Sequence, residues 1–354
     1  MDVTQSQLSR PGRAAAGRNG SGDATSGPLL WVCLGVLYTV WGSTYLAIKI
    51  AIRTIPPFLM ASTRFLVAGS VLFAWAVRRG DRAADPIGRR QWISAAVVGG
   101  ALLVGGNGGV VWAEQRIASG TVALIIATVP LWMAVIDRVA SGERLPRAAV
   151  IGLLVGFAGL ALLVGRPGGH LDPLGVAVAT GAAVCWAAGS VYARRSSLPS
   201  RPLVSAGMEM IAGGVLLAVL GLVSGEAGQL DMSKVSAGSL AGLAYLIVFG
   251  SLVAFSSYAW LLSHARLSLV STYPYVNPVV AVFLGWAILS EPITGRTVVA
   301  SAVIVIGVAL IVASRTVPKR IPPPTDAGPC ERPDEERDEE RDRREPSTQR
   351  SIRP

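Results

Sequence analysis

Two stretches of equal length decide the fold: residues 119–143, SGTVALIIATVPLWMAVIDRVASGE, and residues 267–291, LSLVSTYPYVNPVVAVFLGWAILSE. Each is a long apolar run with a proline at its twelfth position and a glutamate at its last, so Pro130 and Glu143 return 148 residues later as Pro278 and Glu291. The same offset pairs Trp112 with Trp260 and Gly159 with Gly307. Nearer the start the offset is 145, pairing Trp41 with Trp186 and Gly69 with Gly214. The second half of the chain therefore echoes the first. Each half carries five long apolar runs, and because five is odd, two such units in tandem must cross a membrane in opposite senses.

The ten runs lie at about 29–50, 57–77, 92–113, 118–138, 147–165, 173–193, 203–223, 238–262, 267–289 and 295–314. Runs of this length, at 1.5 Å per residue, span roughly 30 Å of hydrocarbon. The expected fold is an all-α integral membrane protein of ten transmembrane helices, arranged as two inverted five-helix repeats. Composition agrees: 51% of the 354 residues are hydrophobic and 15% are charged, whereas a soluble domain is about a quarter charged. Mean hydropathy is +0.51. Residues 1–28 are polar and read as a disordered arm without the apolar core of a signal peptide. The repeats are expected at 29–165 and 173–314, and the Pro-rich, mixed-charge stretch 316–354 reads as a solvated tail.

The net charge of +10 does not point to nucleic acid, since the arginines sit in short gaps between apolar runs where they anchor helices to head groups. With the N-terminus cytoplasmic, one side receives 18 Lys and Arg residues, including the five arginines of 78–90, against six on the other. The equivalent loop of the second half, 224–236, holds one lysine. Both termini are therefore expected in the cytoplasm. The three cysteines, at 33, 185 and 330, form no disulfide framework and have no metal-ligand spacing, and His170 and His264 lie near loop ends. No phosphate-binding loop, nucleophile elbow or paired-carboxylate motif is present, so no cofactor, metal or catalytic residue is expected.

Tyr38, Trp41, Tyr45 and Lys49 fall at i, i+3, i+7 and i+11 on one face of the first run. That stripe suits a pathway for an organic solute; the competing reading is an interfacial belt with Lys49 reaching outward. Arg64 and Glu209 occupy equivalent positions, each about 10 Å into its run. A charge at mid-bilayer costs at least ~2.5–3.5 kcal/mol, so neither faces lipid. Glu209 is a candidate proton carrier or a buried tie between helices. Glu143 and Glu291 are read as stabilising the helix that follows each of them. Asn107 lies among six glycines of the third run, as a solute contact or an interhelical tie, and Trp112 and Trp186 join the candidate pathway. The matched Pro130 and Pro278 are expected to kink their helices near a mid-membrane site, with Tyr273 and Asn277 on one face just before Pro278 and Tyr258 on a comparable face of the eighth run.

Trp41-Gly42, Lys49, Pro56-Pro57, Arg64 and Ala68-Gly69, with Pro130, Gly142-Glu143, Pro278 and Glu291-Pro292, resemble the EamA family of the drug/metabolite transporter superfamily. The resemblance covers about residues 29–315. It implies ten inner-membrane helices around a cavity lined by helices 1, 3, 4, 6, 8 and 9, with both termini cytoplasmic and amino acids, related metabolites or amphipathic drugs exported. Arg64 is typical of the family, whereas Glu209 replaces another residue type. The expectation is a secondary transporter in the plasma membrane, working on a small organic solute by alternating access, with the proton as a possible coupling ion. A channel, or import of the same solutes, is the alternative.

Overall fold

The computed structural model describes residues 27–79, 87–142, 145–164, 172–265, 267–270 and 272–315. Residues 1–26 of the expected arm and the whole expected tail, together with Glu143, His170 and Cys330, lie outside the described residues. Within them the chain is helical, and nine helices are long and apolar enough to cross a bilayer. They are α1 (Pro28–Ala51), α2 (Pro57–Arg78), α3 (Arg89–Ala113), α4 (Ser119–Ser141), α5 (Arg147–Val164), α6 (Pro173–Ala193), α7 (Pro202–Val223) and α8 (Ala237–Leu261), then α10 (Gly295–Ala313). Between the last two, α9 (Tyr273–Leu289) is a shorter apolar helix of 17 residues, about 26 Å long.

The sequence predicts one span over 267–289; the structure divides it into a turn, Leu267–Val270, and α9. Pro274 falls in the first turn of α9, where a missing N–H costs nothing, and the Thr272 hydroxyl donates to Leu269 O at 2.6 Å. The matched prolines act differently. Pro130 starts a new helical stretch after a break at Ala127–Thr128 inside α4, and the Thr128 hydroxyl satisfies Ile125 O at 2.6 Å. Pro278 sits inside α9, which continues through it.

Two helix pairs organise the bundle, α2 with α7 and α5 with α10, and each joins a helix to its own counterpart in the repeat. A Cβ on Gly69 would lie 2.7 Å from Met210 Cβ and 3.0 Å from Ile211 N. The same approach recurs between Gly214 and Leu66, at 3.0 Å from its Cγ. Further along, Gly207 meets Phe73 and Gly221 meets Leu59, so each step forward on α2 is a step backward on α7. The second pair runs likewise, Gly152 against Ile311, Gly156 near Gly307, and Gly159 against Ile304. Equivalent helices thus run antiparallel, which is the inversion that the odd number of spans demands. The echoed glycines, Gly69 with Gly214 and Gly159 with Gly307, are the residues that let these backbones touch. Dispersion between close backbones is what holds helices together in lipid, where burial from water contributes nothing.

Three helices widen into π-helical turns: α1 at Leu37–Trp41, α3 at Gly100–Gly108 and α8 at Leu246–Val253. Shifted by 148 residues, the α3 segment overlaps the α8 segment, so the widening is itself repeated. Such turns leave the i→i−4 ladder locally and concentrate at functional sites.

Gly307→Ala places a methyl 2.4 Å from Gly156 N, an overpacking worth about 1–3 kcal/mol. Its thermal unfolding midpoint in detergent is expected to fall, while Gly35→Ala, with nothing within 4 Å, keeps the parent value.

Candidate functional site

The π turn of α1 carries Trp41 into a group of rings drawn from three helices. Its ring lies 5.5 Å from Phe255 and 5.4 Å from Tyr258 on α8, and 4.9 Å from Tyr273 on α9. Tyr258 and Tyr273 are themselves 6.0 Å apart in an edge-to-face arrangement. Tyr38 joins by a hydrogen bond between its hydroxyl and that of Thr272. Tyr45, one turn beyond Trp41, lies within electrostatic reach of both Tyr273 and Glu114. Rings in such pairs contribute about 0.5–1.5 kcal/mol each beyond area burial, so this patch holds α1, α8 and α9 together through adaptable contacts.

Asn277 lies one turn after Tyr273, and its backbone carbonyl faces Gly42 of α1. Its side-chain Oδ1 is buried and accepts no hydrogen bond among the described residues. An unpaired buried acceptor costs roughly 1–3 kcal/mol, which sets the Asn277 amide apart from the other candidates. Tyr38, Trp41, Tyr45, Tyr258, Tyr273 and Asn277 are therefore gathered by α1, α8 and α9. The other three candidates lie elsewhere. Trp186 of α6 packs on the π turn of α3, its ring 2.8 Å from where a Cβ of Gly106 would stand. Asn107 occupies that same turn, half-buried, between glycines that meet α6 and α7. Trp112 lies at the end of α3 beneath the Arg116 guanidinium, 4.5 Å away, and Arg116 also pairs with Asp172 at 2.9 Å. That ion pair holds the Asp172 carboxyl below its ordinary pKa.

Arg64 is buried in α2 and turned away from lipid. Its Nε donates to Ser251 Oγ at 3.0 Å and Nη2 to Gly250 O at 3.5 Å, both within the π turn of α8, and the guanidinium stacks on Phe65 at 4.7 Å. The cation thus occupies polar groups beside a locally disrupted backbone ladder. Glu209 on α7 accepts from Ser205 Oγ at 2.8 Å, and its backbone carbonyl faces Gly99 at the start of the α3 π turn. Each intramembrane charge therefore abuts the π-wound helix of the other half.

The structure gathers three acidic groups at one end of the bundle. Glu226 accepts from Phe58 N and Leu59 N, at 3.1 and 2.9 Å, and so caps α2. Glu291 accepts from Ser119 N, Ser119 Oγ and Gly120 N, at 2.8, 3.0 and 3.2 Å. The sequence reading had Glu291 stabilising α10, the helix after it; the structure gives it to the start of α4 in the other half. A carboxylate at a helix N-terminus contributes about 0.3–1 kcal/mol, more where partly buried. Lys49 does not reach outward: Nζ donates to the carbonyls of Glu114 and, at 3.0 Å, Ile117, tying the end of α1 to the α3–α4 turn. The third acidic group is Glu114 itself. The signal for Glu226 was present in the sequence, since its counterpart 145 residues earlier is also acidic, Asp81. Among the described residues no three His, Cys, Asp or Glu side chains converge as metal ligands.

An inverted bundle of apolar helices, with buried charges turned inward and a ring cluster between helices, defines a multi-pass membrane transporter. The chain belongs to the EamA-like transporter family, whose model matches residues 29–165 and again 173–313. It is 38% identical over 285 residues to YedA of Escherichia coli (strain K12), an uncharacterized inner membrane transporter, covering 80% of this chain and 90% of that one. A WAT1-related chloroplastic protein of Arabidopsis thaliana is 28% identical over 294 residues, covering 80% of this chain and 69% of that one. A solved structure titled "Crystal structure of protein" shares the fold, with a TM-score of 0.56 at 24% identity, covering 82% of this chain and 99% of that chain.

Arg64→Ala removes the donors to Ser251 and Gly250, leaving buried acceptors at a cost of about 1–3 kcal/mol. Thermal unfolding in detergent is expected to show that loss, and Arg64→Lys, which lacks the fork, is expected to recover only part of it.

Proposed function

We infer that the protein is a secondary active exporter of small organic solutes, amino-acid-like metabolites or amphipathic cations, which rocks its inverted halves about a site between α1, α8 and α9. The observation that carries this reading is the cluster of Trp41, Tyr258 and Tyr273 beside the unpartnered Asn277 carbonyl. Aromatic faces attract cations and bury apolar groups, and the amide oxygen accepts from an ammonium or N–H. A solute with an amine and an apolar body satisfies both. Asn107 and the π turns of α3 and α8 would adjust around it, and Trp112 and Trp186 would act from the flanks. Pro130 marks where α4 breaks and restarts, whereas α9 continues through Pro278.

Energy comes from an ion or solute gradient, with the proton as the coupling ion. Glu209 is the carboxylate assigned to that role by its depth on α7 and its single hydroxyl partner. In the plasma membrane the N-terminus and C-terminus face the cytoplasm, on the positive-inside count of loop arginines.

Trp41→Ala is expected to raise the apparent KM for solute about tenfold, with normal membrane insertion. Counterflow in proteoliposomes, run over a panel of amines and amino acids, reads this; parent kinetics would return Trp41 to packing. A cysteine placed at Ala83 is expected to resist membrane-impermeant maleimide added to intact cells. Efficient labelling there would reverse the topology.

A further inference from the structure

At the α3–α4 turn, one carboxyl stands in contrast to its two neighbours. Glu226 and Glu291 each accept two or more hydrogen bonds from helix N-termini. Glu114 is fully buried, at 0% exposure, and neither of its side-chain oxygens has a partner among the described residues. A buried carboxylate serving only structure has donors around it, as the other two do. Glu114 has been desolvated and given none.

The charged and titratable groups that face it are few. Lys49 and Tyr45 approach from α1, and Glu291 approaches from the α9–α10 turn. The Lys49 ammonium is committed to the carbonyls of Glu114 and Ile117 rather than to the carboxyl. Arg116, on the same turn, is taken up by Asp172 and Trp112. Burial pushes the Glu114 carboxyl well above its ordinary range; the Lys49 ammonium opposes this without reversing it, and the Glu291 charge adds to it. Burial in this conformation thus shifts Glu114 toward the neutral acid. The position matters because the contacts that meet here, Lys49 to the turn and Glu291 to α4, hold three parts of the bundle shut at one end. The residue 148 positions later is Leu262, so the sequence places no second carboxyl at the equivalent point of the other half.

We propose that Glu114 is a proton-binding site built into the gate at this end of the bundle, holding a proton while the end is closed and releasing it when α1 parts from the α3–α4 turn. The proposal rests on the alternating-access reading above. On opening, water solvates the carboxyl, the proton leaves to solvent, and Lys49 moves away with α1. The sign follows from linkage: a group with the higher proton affinity in the closed form stabilises that form at low pH, and the stabilisation is lost as pH rises through the closed-state pKa. Acid therefore shuts this end, and alkali favours its opening.

Infrared spectroscopy of the full chain in lipid tests protonation directly. At neutral pH the parent is expected to show a protonated-carboxyl C=O band that disappears in Glu114→Gln and persists in Glu209→Gln. An unchanged band in Glu114→Gln overturns the proposal. Spin labels at Arg53 and Gln115, on the two sides of the gate, read the motion. Their distance is expected to lengthen as pH rises in the parent and to stay short at all pH in Glu114→Gln; equal pH dependence in both, or none in the parent, overturns the gate. Glu114→Asp is the second variant should Gln impair folding, and it is expected to displace both the band and the midpoint. If band and gate behave as stated while no solute moves in counterflow, the proton gate is supported and the transport reading fails. Solute flux with neither signal overturns the gate and supports transport.

Discussion

Backbone contact between antiparallel helices is the constraint on which the rest of this structure depends. In lipid, helices gain nothing by hiding apolar side chains from water, so association relies on close packing and on polar ties. Here that closeness is obtained where a helix meets its own repeat counterpart, α2 with α7 and α5 with α10, through glycines at matched positions. A side chain at Gly69 or Gly307 would push apart a contact that both halves share. These two pairs frame the bundle, and α1, α3, α4, α6, α8 and α9 complete it, with α4 meeting α9 at Gly120 and Val282.

The interior and the frame are built from different chemistry. α1, α3 and α8 wind locally into π turns, and Arg64 occupies polar groups beside one of them. The ring cluster of Trp41, Tyr258 and Tyr273 makes contacts that tolerate tilting, since edge-to-face pairs persist over a range of geometry. The helix ends at the Glu114 side are by contrast fastened by directional bonds: Lys49 to two carbonyls, Glu226 to α2, Glu291 to α4. Directional bonds break as a unit, whereas soft contacts slide. An end of the bundle fastened in this way suits the gate proposed for Glu114.

The sequence was legible wherever a property is carried by a single residue or a run. Ten apolar segments, their approximate ends and the repeat could all be read, and Arg64 was expected to bond within protein. Other expectations missed because they concern partners far apart in the chain. Glu291 was assigned to the helix after it, yet its donors lie 171 and 172 residues away at Gly120 and Ser119. For Lys49 the sequence allows two readings, and its acceptors lie on the α3–α4 turn. Pro130 and Pro278 look identical in the repeat but act differently, because the Thr128 hydroxyl supports a break in α4 that α9 does not share at Pro278. As one acid at the end of one run, Glu114 carries no signal of its burial in the sequence.

By itself the sequence determined that the chain is a ten-helix membrane protein made of two inverted halves. Run length against bilayer thickness fixes the number of crossings, and an odd count per repeat fixes the inversion. Only the tertiary structure decided which groups meet: that the matched glycines join counterpart helices, that six of the nine pathway candidates converge, and that Glu114 is buried without a donor. Hydropathy and periodicity report the solvent each residue prefers. They carry no record of which distant residue will stand opposite it, and in lipid, where every helix face is similarly apolar, packing shape and a few polar ties make that choice.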